Sequence, residues 1–461
     1  MSNQNNEAIQ ENKMGYMPVN KLLLNMSLPM MASMLVQAMY NIVDSIFVSR
    51  VSEGALTAVT LSFPIQMLII AVGGGTGVGI NAVLSKALGE KDHDEVKKSA
   101  TNGVFLIAMS YLVFLMIGIF GVKPFFATQN VGDEQILNYG IQYLSIVCVC
   151  SVGVLTQMTF ERLLQSTGKT FYSMVSQMTG AIINCIMDPI LIFGLFGAPR
   201  LEVAGAALAT IFGQIVGASL AIYFNLTKNK EVILSFKGFK PEGRMIKKIY
   251  SVGLPSIIMQ SIGSVMNYCM NQILLGFSST AAAVFGAYFK LQSFFFMPVF
   301  GLNNGLIPIV AFNYGAKNRK RMLKAIKLSI FYAEILFLIG VVVFEFFPDK
   351  LLLIFDASPQ MLEMGSRALR TIAIHFPIAA YCIIVGTVFQ SLGYGIYSLW
   401  VSIARQLAVL IPAAYLLSLT GVVHNVWWAF PIAEIASAIA STFFFIKIYN
   451  HTIKQIPLGV D

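Results

Sequence analysis

The chain has 461 residues, of which 56% are hydrophobic and 11% charged, with a mean hydropathy of +0.73. That composition excludes a soluble globule and points to a protein with many membrane spans. The net charge of +9 does not call for nucleic acid, because basic inner loops facing anionic lipid account for it.

A bilayer core takes ~20 mostly apolar residues per helix. Twelve such stretches start near Leu22, Gly54, Ser99, Ile136, Phe171, Val203, Ile249, Ala281, Ala325, Met364, Tyr397 and Val426. Ahead of the first, MSNQNNEAIQENKMGYM is polar and lacks the pattern of a cleaved signal, so the first helix is expected to be retained. That helix holds QAMYNIVDSIFV, which sets Tyr40 and Asp44 four residues apart on one face. The second holds VGGGTGVG, from Val72 to Gly79. The run does not fit G-x-G-x-x-G and follows a membrane helix rather than a strand, so it reads as close helix packing and not as a nucleotide loop. Near the end of the fourth, Glu161-Arg162 reads as an interfacial ion pair.

The fifth stretch contains NCIMDPILIFG, from Asn184 to Gly194, which places Asn184 and Asp188 on one face. Pro189 has no N–H for the carbonyl of Cys185, so that oxygen is free to face a ligand. An ionised Asp in mid-membrane costs ~3 kcal/mol on insertion scales, which makes Asp44 and Asp188 functional candidates by default. Carboxylates, an amide, a phenol and a freed carbonyl are oxygen donors suited to a hard cation, and two adjacent acids could instead share a proton. Later in the chain, His375 and Glu434 are single polar groups and read as satisfied buried residues. The five cysteines fall in apolar windows without a C-x-x-C pair and carry no metal or disulfide signal. No cofactor is expected.

Charge placement predicts the orientation. Of the 31 Lys and Arg, 23 fall on the side of the two termini, 6 on the other side, and Lys290 and Arg405 lie inside helices. The positive-inside rule then places both termini in the cytoplasm of a multi-pass protein of the cell membrane.

A shift of 226 residues aligns the first two helices with the seventh and eighth without a gap. Leu28-Pro29 meets Leu254-Pro255, Asn41 meets Asn267, Ser52 meets Ser278, Gln66 meets Gln292, and Gly75, Gly79 and Gly89 meet Gly301, Gly305 and Gly315. The chain therefore reads as all-α, with twelve transmembrane helices in two six-helix lobes related by a pseudo-twofold axis along the membrane normal. The boundaries are residues 1–226 for the N-terminal lobe, 227–245 for a cytoplasmic linker and 246–461 for the C-terminal lobe. Neither acid repeats, since Met270 stands opposite Asp44 and the counterpart of Asp188 falls on the apolar run around Ile411. Coupling chemistry is confined to the first lobe.

The ordered set VDSIFVSR, ALGEKDHDEVKKS, LQSTGKT, NCIMDPILIFG, GAALAT and NYGAKNRKR, together with the six-plus-six repeat, resembles the multidrug and toxic compound extrusion (MATE) family, in the style of its bacterial MepA/DinF-like branch. The resemblance covers nearly the whole chain. It implies an antiporter of the bacterial cytoplasmic membrane that expels small amphipathic or cationic drugs against Na⁺ or H⁺, working as a monomer and not as an enzyme. The family's N-lobe cation site maps onto Asp44, Asn184, Asp188 and Thr210, with Tyr40 nearby, and Na⁺ is the one metal ion it implies. Gln37, Asn41, Asn267 and Gln292 are expected in the substrate cleft. The acid that one branch carries in its seventh helix is missing, because Ile249 to Gly276 holds no Asp or Glu. Three alternatives compete. A lipid-linked sugar flippase of the same superfamily is nearest. A membrane-embedded hydrolase using the paired Asp would need a further motif that is absent. A major facilitator carrier would need a basic motif between its second and third helices, also absent.

Overall fold

The computed structural model describes residues 12–129, 133–355 and 357–459. The first eleven residues of the polar N-terminal stretch lie outside them.

Twelve helical spans run through the described residues, as the apolar windows predict. α1 is Val19–Ser49, α2 Glu53–Gly89, and α3 His93–Met116, continued through a π-helical turn at Ile117–Gly121 into Val122–Ala127. α4 comprises Glu134–Val149 and Val152–Ser166, α5 is Thr170–Phe193 and α6 Glu202–Lys228. In the second half, α7 is Gly243–Leu275, α8 Ser279–Gly315 and α9 Arg319–Phe346. α10 comprises Pro359–Ala373 and Phe376–Ser391; α11 runs from Gly395–Ile403 through a π-helical turn at Ala404–Leu410 to Ile411–Ser418; α12 is Ala429–His451.

Two spans are not straight. α4 bends by 42° and α10 by 49° at their breaks. The second bend precedes Pro377, which cannot donate to the turn behind it. The two bent helices are counterparts in the repeat, so the distortion belongs to the architecture of each lobe. The expected linker is shorter than its composition suggests: α6 continues through Lys228 and α7 begins at Gly243, leaving residues 229–242 between them.

Local chemistry sets the helix ends. The hydroxyl of Ser52 accepts from Ala55 N at 3.0 Å and that of its repeat mate Ser278 accepts from Ala281 N at 3.1 Å. Asp92, Asp133, Asn318 and Ser358 cap further helices in the same way. α5 stops at Gly194, whose φ of 73° is the left-handed cap that a glycine adopts freely.

The lobes meet along α1, α2, α7 and α8, and the repeated glycines make this contact. A β-carbon on Gly79 would run into the carbonyl of Ile249, one on Gly89 into that of Phe312, and one on Gly315 into that of Lys86. The glycine run in α2 is therefore a packing surface, as its spacing suggests. All these approaches lie in the half of the bundle that carries both termini. In the other half the same helices expose Met39, Ile42, Phe63, Val265 and Tyr268, and among the described residues no glycine there approaches the opposite lobe, so the closed contact between the lobes lies at the terminus-bearing end.

Further bonds tie the closed end. Asn12 Nδ2 donates to Thr167 O (3.1 Å) and to the Glu231 carboxylate (2.9 Å), while Arg321 Nη2 donates to the carbonyls of Met14 (3.1 Å) and Met17 (2.6 Å). The short helix Lys13–Tyr16 thus bridges the two lobes. Arg162 Nη1 donates across the interface to Asn304 Oδ1 (2.9 Å). Glu161 points away from it, into the N-terminal lobe, where it accepts from Gln157 Nε2 (2.9 Å) and the Ser176 hydroxyl (3.3 Å). Adjacent residues on a helix project about 100° apart, which is why the expected Glu161–Arg162 ion pair does not form.

Candidate functional site

The N-terminal lobe brings together residues that are distant in the chain. α1 supplies Tyr40 and Asp44, α5 supplies Asn184, Cys185 and Asp188, and α6 supplies Thr210. α5 buries one polar stripe, Ser173, Ser176, Gly180, Asn184 and Asp188, and its close fit to α6 makes this possible. Gly213 of α6 lies against the backbone of Gly180 and against Asn184, an approach that brings Asn184 within hydrogen-bond reach of Thr210.

The Asn184 amide satisfies both neighbours when Nδ2 donates to Asp188 Oδ2 (3.2 Å) and Oδ1 accepts from Thr210 Oγ1 (3.1 Å). Asp188 is fully buried and Asn184 is 2% exposed. Asp44 and Asp188 lie close enough to feel each other's charge, and Tyr40 and Cys185 lie within electrostatic reach of both. Sequence reasoning missed one wall of this site. Tyr143 of α4 also feels Asp44, Asp188 and Tyr40, and its hydroxyl accepts from Gln66 Nε2 at 2.7 Å. Gln66 carried a signal, its recurrence at Gln292; Tyr143 carried none.

One oxygen of each acid is left over. Asp44 Oδ1 and Asp188 Oδ1 are buried and have no hydrogen-bond partner. Such an acceptor costs ~1–3 kcal/mol when unsatisfied and more when charged, so it marks a place for something that binds oxygen. A bare carboxylate oxygen is chemically suited to a hard cation or to a proton. Among the described residues, no group of three or more His, Cys, Asp or Glu is placed to hold a metal ion.

The four expected cleft residues separate. Gln37 accepts from Gln177 Nε2 of α5 at 2.7 Å and is tied into its own lobe. Gln292 accepts from the Tyr288 hydroxyl at 2.6 Å within the C-terminal lobe. Asn267 donates to Gly263 O of its own helix at 3.2 Å, whereas Asn41 is exposed. In the C-terminal lobe, Lys290 Nζ stands 6.0 Å from the centre of the Phe355 ring and Arg405 approaches Glu434.

The chain is similar to known proteins over more than nine-tenths of its length. The profile of the MatE family matches residues 29–190 and 255–416, two segments offset by the same 226 residues as the internal repeat. The multidrug export protein MepA of Staphylococcus haemolyticus is 29% identical over 93% of this chain and 94% of its own length. A protein of Shewanella oneidensis named as an FAD transporter is 27% identical over 92% and 93%. Among solved structures, a MATE protein in its straight conformation superposes with a TM-score of 0.90 at 23% identity, covering 97% of this chain and 99% of that one. The outward-facing conformation of a multidrug resistance MATE family transporter superposes with a TM-score of 0.89, also at 23% identity and with the same coverage.

Proposed function

This chain belongs to the MatE family, and on that premise we propose that it is an ion-coupled exporter of small amphipathic, cationic compounds, working by alternating access against Na⁺ or H⁺. The pair of buried, unpartnered oxygens on Asp44 and Asp188 carries the reading. An exporter needs a ligand whose affinity differs between its two states. Two charged acids repel across a gap of low dielectric, and a cation or proton arriving at Asp44 and Asp188 removes that repulsion. α1 then packs more closely on α5, and a bound cationic compound loses both its counter-charge and its space. Asn184 holds Asp188 in position, and Thr210 holds Asn184.

The basic residues support placing both termini in the cytoplasm, so the lobes close on the inner side and the cleft opens outward. Methionine and aromatic contacts would hold flat cations in that cleft, and the site lies within one chain, so a monomer suffices. The relatives, an exporter and a carrier of a dissolved compound, do not favour a lipid-linked sugar flippase.

The relative named as an FAD transporter marks a second reading, a bulky anionic dinucleotide as cargo. The two uncompensated acids favour a cation over an anion. Purified protein in liposomes, loaded with a cationic dye or with FAD and given independent Na⁺ and pH gradients, tests both. Gradient-driven movement of dye supports the proposal; movement of FAD alone, or of neither, overturns it.

A further inference from the structure

At the terminus-bearing end, a cavity of about 440 Å³ lies between the short helix Lys13–Tyr16, the second turn of α1, the α4–α5 turn and the chain just past α6. The exchange at Asp44 and Asp188 makes no use of it. Its polar lining includes Asn12, Lys13, Tyr16, Asn25, Lys169 and Glu231. The volume falls within the ~300–1,000 Å³ of small-ligand sites.

The lining holds more positive charge than it compensates. Both oxygens of Glu231 accept from Asn12 Nδ2, at 3.1 and 2.9 Å, and Lys13 Nζ donates to the Asn25 amide oxygen at 2.6 Å. Lys13 passes over Gly168, where a β-carbon would stand 3.0 Å from its Cε. The charge of Lys169 acts on Lys13, and that of His93 on Glu231. Two ammonium groups thus share one carboxylate that is already engaged. α5 adds to the field, because it starts at Thr170 without a side-chain cap, which leaves first-turn N–H groups for an anion.

The apolar stretches of α1 and α5 begin near Leu22 and Phe171, so the cavity lies where hydrocarbon gives way to headgroups. Aromatic rings mark the same level. Phe171 meets Tyr172 with ring centres 5.9 Å apart, Tyr172 meets Phe224 at 4.9 Å, and Phe224 meets Tyr223 at 5.6 Å. Phe171, Tyr223 and Tyr16 are exposed, and so is Leu28, one turn deeper along α1 than Asn25. An interfacial belt of rings beside a basic pocket suits an anionic headgroup whose chains stay in the bilayer. Free phosphate would use the charge but not the apolar rim.

We propose that this cavity binds the phosphodiester headgroup of an anionic phospholipid from the leaflet on the terminus-bearing side, with Lys13 and Lys169 on the phosphate and the acyl chains against Phe171 and Leu28. Arg321 of the second lobe holds the same short helix by the carbonyls of Met14 and Met17, so an occupied cavity fastens both lobes at the closed end. The site depends on neither the cargo nor the coupling ion.

Native mass spectrometry of the purified full-length protein with phosphatidylglycerol tests the assignment. One lipid should bind more tightly than the rest, and Lys13→Gln/Lys169→Gln should weaken that step ~30-fold, about five-fold per lysine. Glu231→Gln removes the competing carboxylate but keeps an acceptor for Asn12, so it should tighten the step. Lys237→Gln/Lys240→Gln, which removes two exposed charges from the linker at the same end, should leave it unchanged. Hydrogen exchange gives a second reading in the bilayer. The Lys13–Tyr16 amides should exchange more slowly in nanodiscs containing phosphatidylglycerol than in phosphatidylcholine alone, and Lys13→Gln/Lys169→Gln should abolish the difference. Equal losses in the two double variants would make the binding a diffuse property of the basic face. Displacement of the lipid by inorganic phosphate at a matching free concentration would make the site one for a soluble anion. Either result overturns the proposal, as does the lack of a tighter first step or a Glu231→Gln variant that binds the lipid less well. The Glu231→Gln arm decides the matter even if Lys13→Gln/Lys169→Gln does not fold.

Discussion

Gly75 and Gly301 occupy equivalent places on opposite sides of the lobe interface. A β-carbon on Gly75 would stand 2.5 Å from Ile257 Cγ1, and one on Gly301 would stand 2.5 Å from Met31 Cα. Met31 and Ile257 are themselves 226 residues apart, so the contact is reproduced by the twofold relation down to single residues. The interface is isologous between halves of one chain, and each half contributes a helix backbone that only glycine lets the other reach.

The closed end should therefore be sensitive to a single small side chain. Gly79→Val places side-chain atoms against the carbonyl of Ile249, an overlap of the kind that costs ~1–3 kcal/mol. The population should move from the state closed at the terminus-bearing end to the state open there, by ~5- to 150-fold. Spin labels at Lys97→Cys and Lys324→Cys, in a background without the five native cysteines, should report a longer distance in Gly79→Val. An unchanged distance distribution would mean that this packing does not set the equilibrium.

Most of the architecture was legible because apolar length and the 226-residue echo are both written in single residues. Twelve spans, the packing role of the glycine run and the convergence of Asp44, Asn184, Asp188 and Thr210 followed from spacing or from resemblance. What stayed hidden depended on tertiary direction. Nothing local says that Glu161 and Arg162 diverge into a lobe core and a lobe interface, or that Tyr143 of α4 reaches the acids. The partners of Gln37 and Gln292 were hidden for the same reason: an amide on a membrane helix must bond somewhere, and Gln177 and Tyr288 are chosen by packing.

The short bridging helix should respond to pH. Burial, and secondarily the nearby Lys169, push the Lys13 ammonium down to about 8, with Glu231 pulling the other way. Docked Lys13 therefore loses its proton near pH 8, whereas the undocked side chain keeps it until about 10.5, so the undocked form binds more protons in between. Docking strengthens as pH rises through that window and is weakest below it. Hydrogen exchange of the Lys13–Tyr16 amides should slow from pH 8 to pH 10 after correction for intrinsic rates. Lys13→Met should abolish the trend, and a trend that persists in this variant refutes the assignment.

The topology has a simple test. Residues 229–242 carry Lys230, Lys237 and Lys240 and join the lobes at the end where both termini lie. If that end is cytoplasmic, Lys237→Cys should resist a membrane-impermeant thiol reagent in intact cells and react after permeabilisation. Ready labelling of intact cells would invert the orientation and with it the direction of the open cleft.

Asn184 is the residue that converts an isolated acid into an oriented one. Asn184→Leu keeps the volume but removes the donor to Asp188 and the acceptor for Thr210, an exchange that costs ~1–3 kcal/mol at a charged group. The coupling ion should be needed at ~10-fold higher concentration for half-maximal dye efflux, with the amount of protein in the membrane unchanged. Thr210→Val should act in the same direction and more weakly, since it reaches Asp188 only through Asn184. Equal efflux curves for Asn184→Leu and the unmodified protein would remove Asn184 from the site.

The exchange mechanism makes its sharpest demand on competition. If cation and drug use the same negative charge, they cannot both be held in the outward-open state, and each must lower the other's affinity by the same factor. Raising Na⁺, or lowering pH, should weaken binding of a cationic dye to the purified protein, and the dye should weaken ion binding reciprocally. Asp44→Asn leaves one acid, so the repulsion that the ion relieves is gone; the dye should bind weakly and its affinity should no longer depend on the ion. Asp188→Asn should do the same and should also release Asn184, so its loss of coupling should be at least as complete. Both variants should remain folded in the membrane, because each removes a buried charge that has no counter-charge and keeps the side-chain shape. Dye affinity that stays constant across the Na⁺ and pH titrations of the unmodified protein would separate the acids from the cargo, and Asp44 and Asp188 would then have to be read as a structural pair.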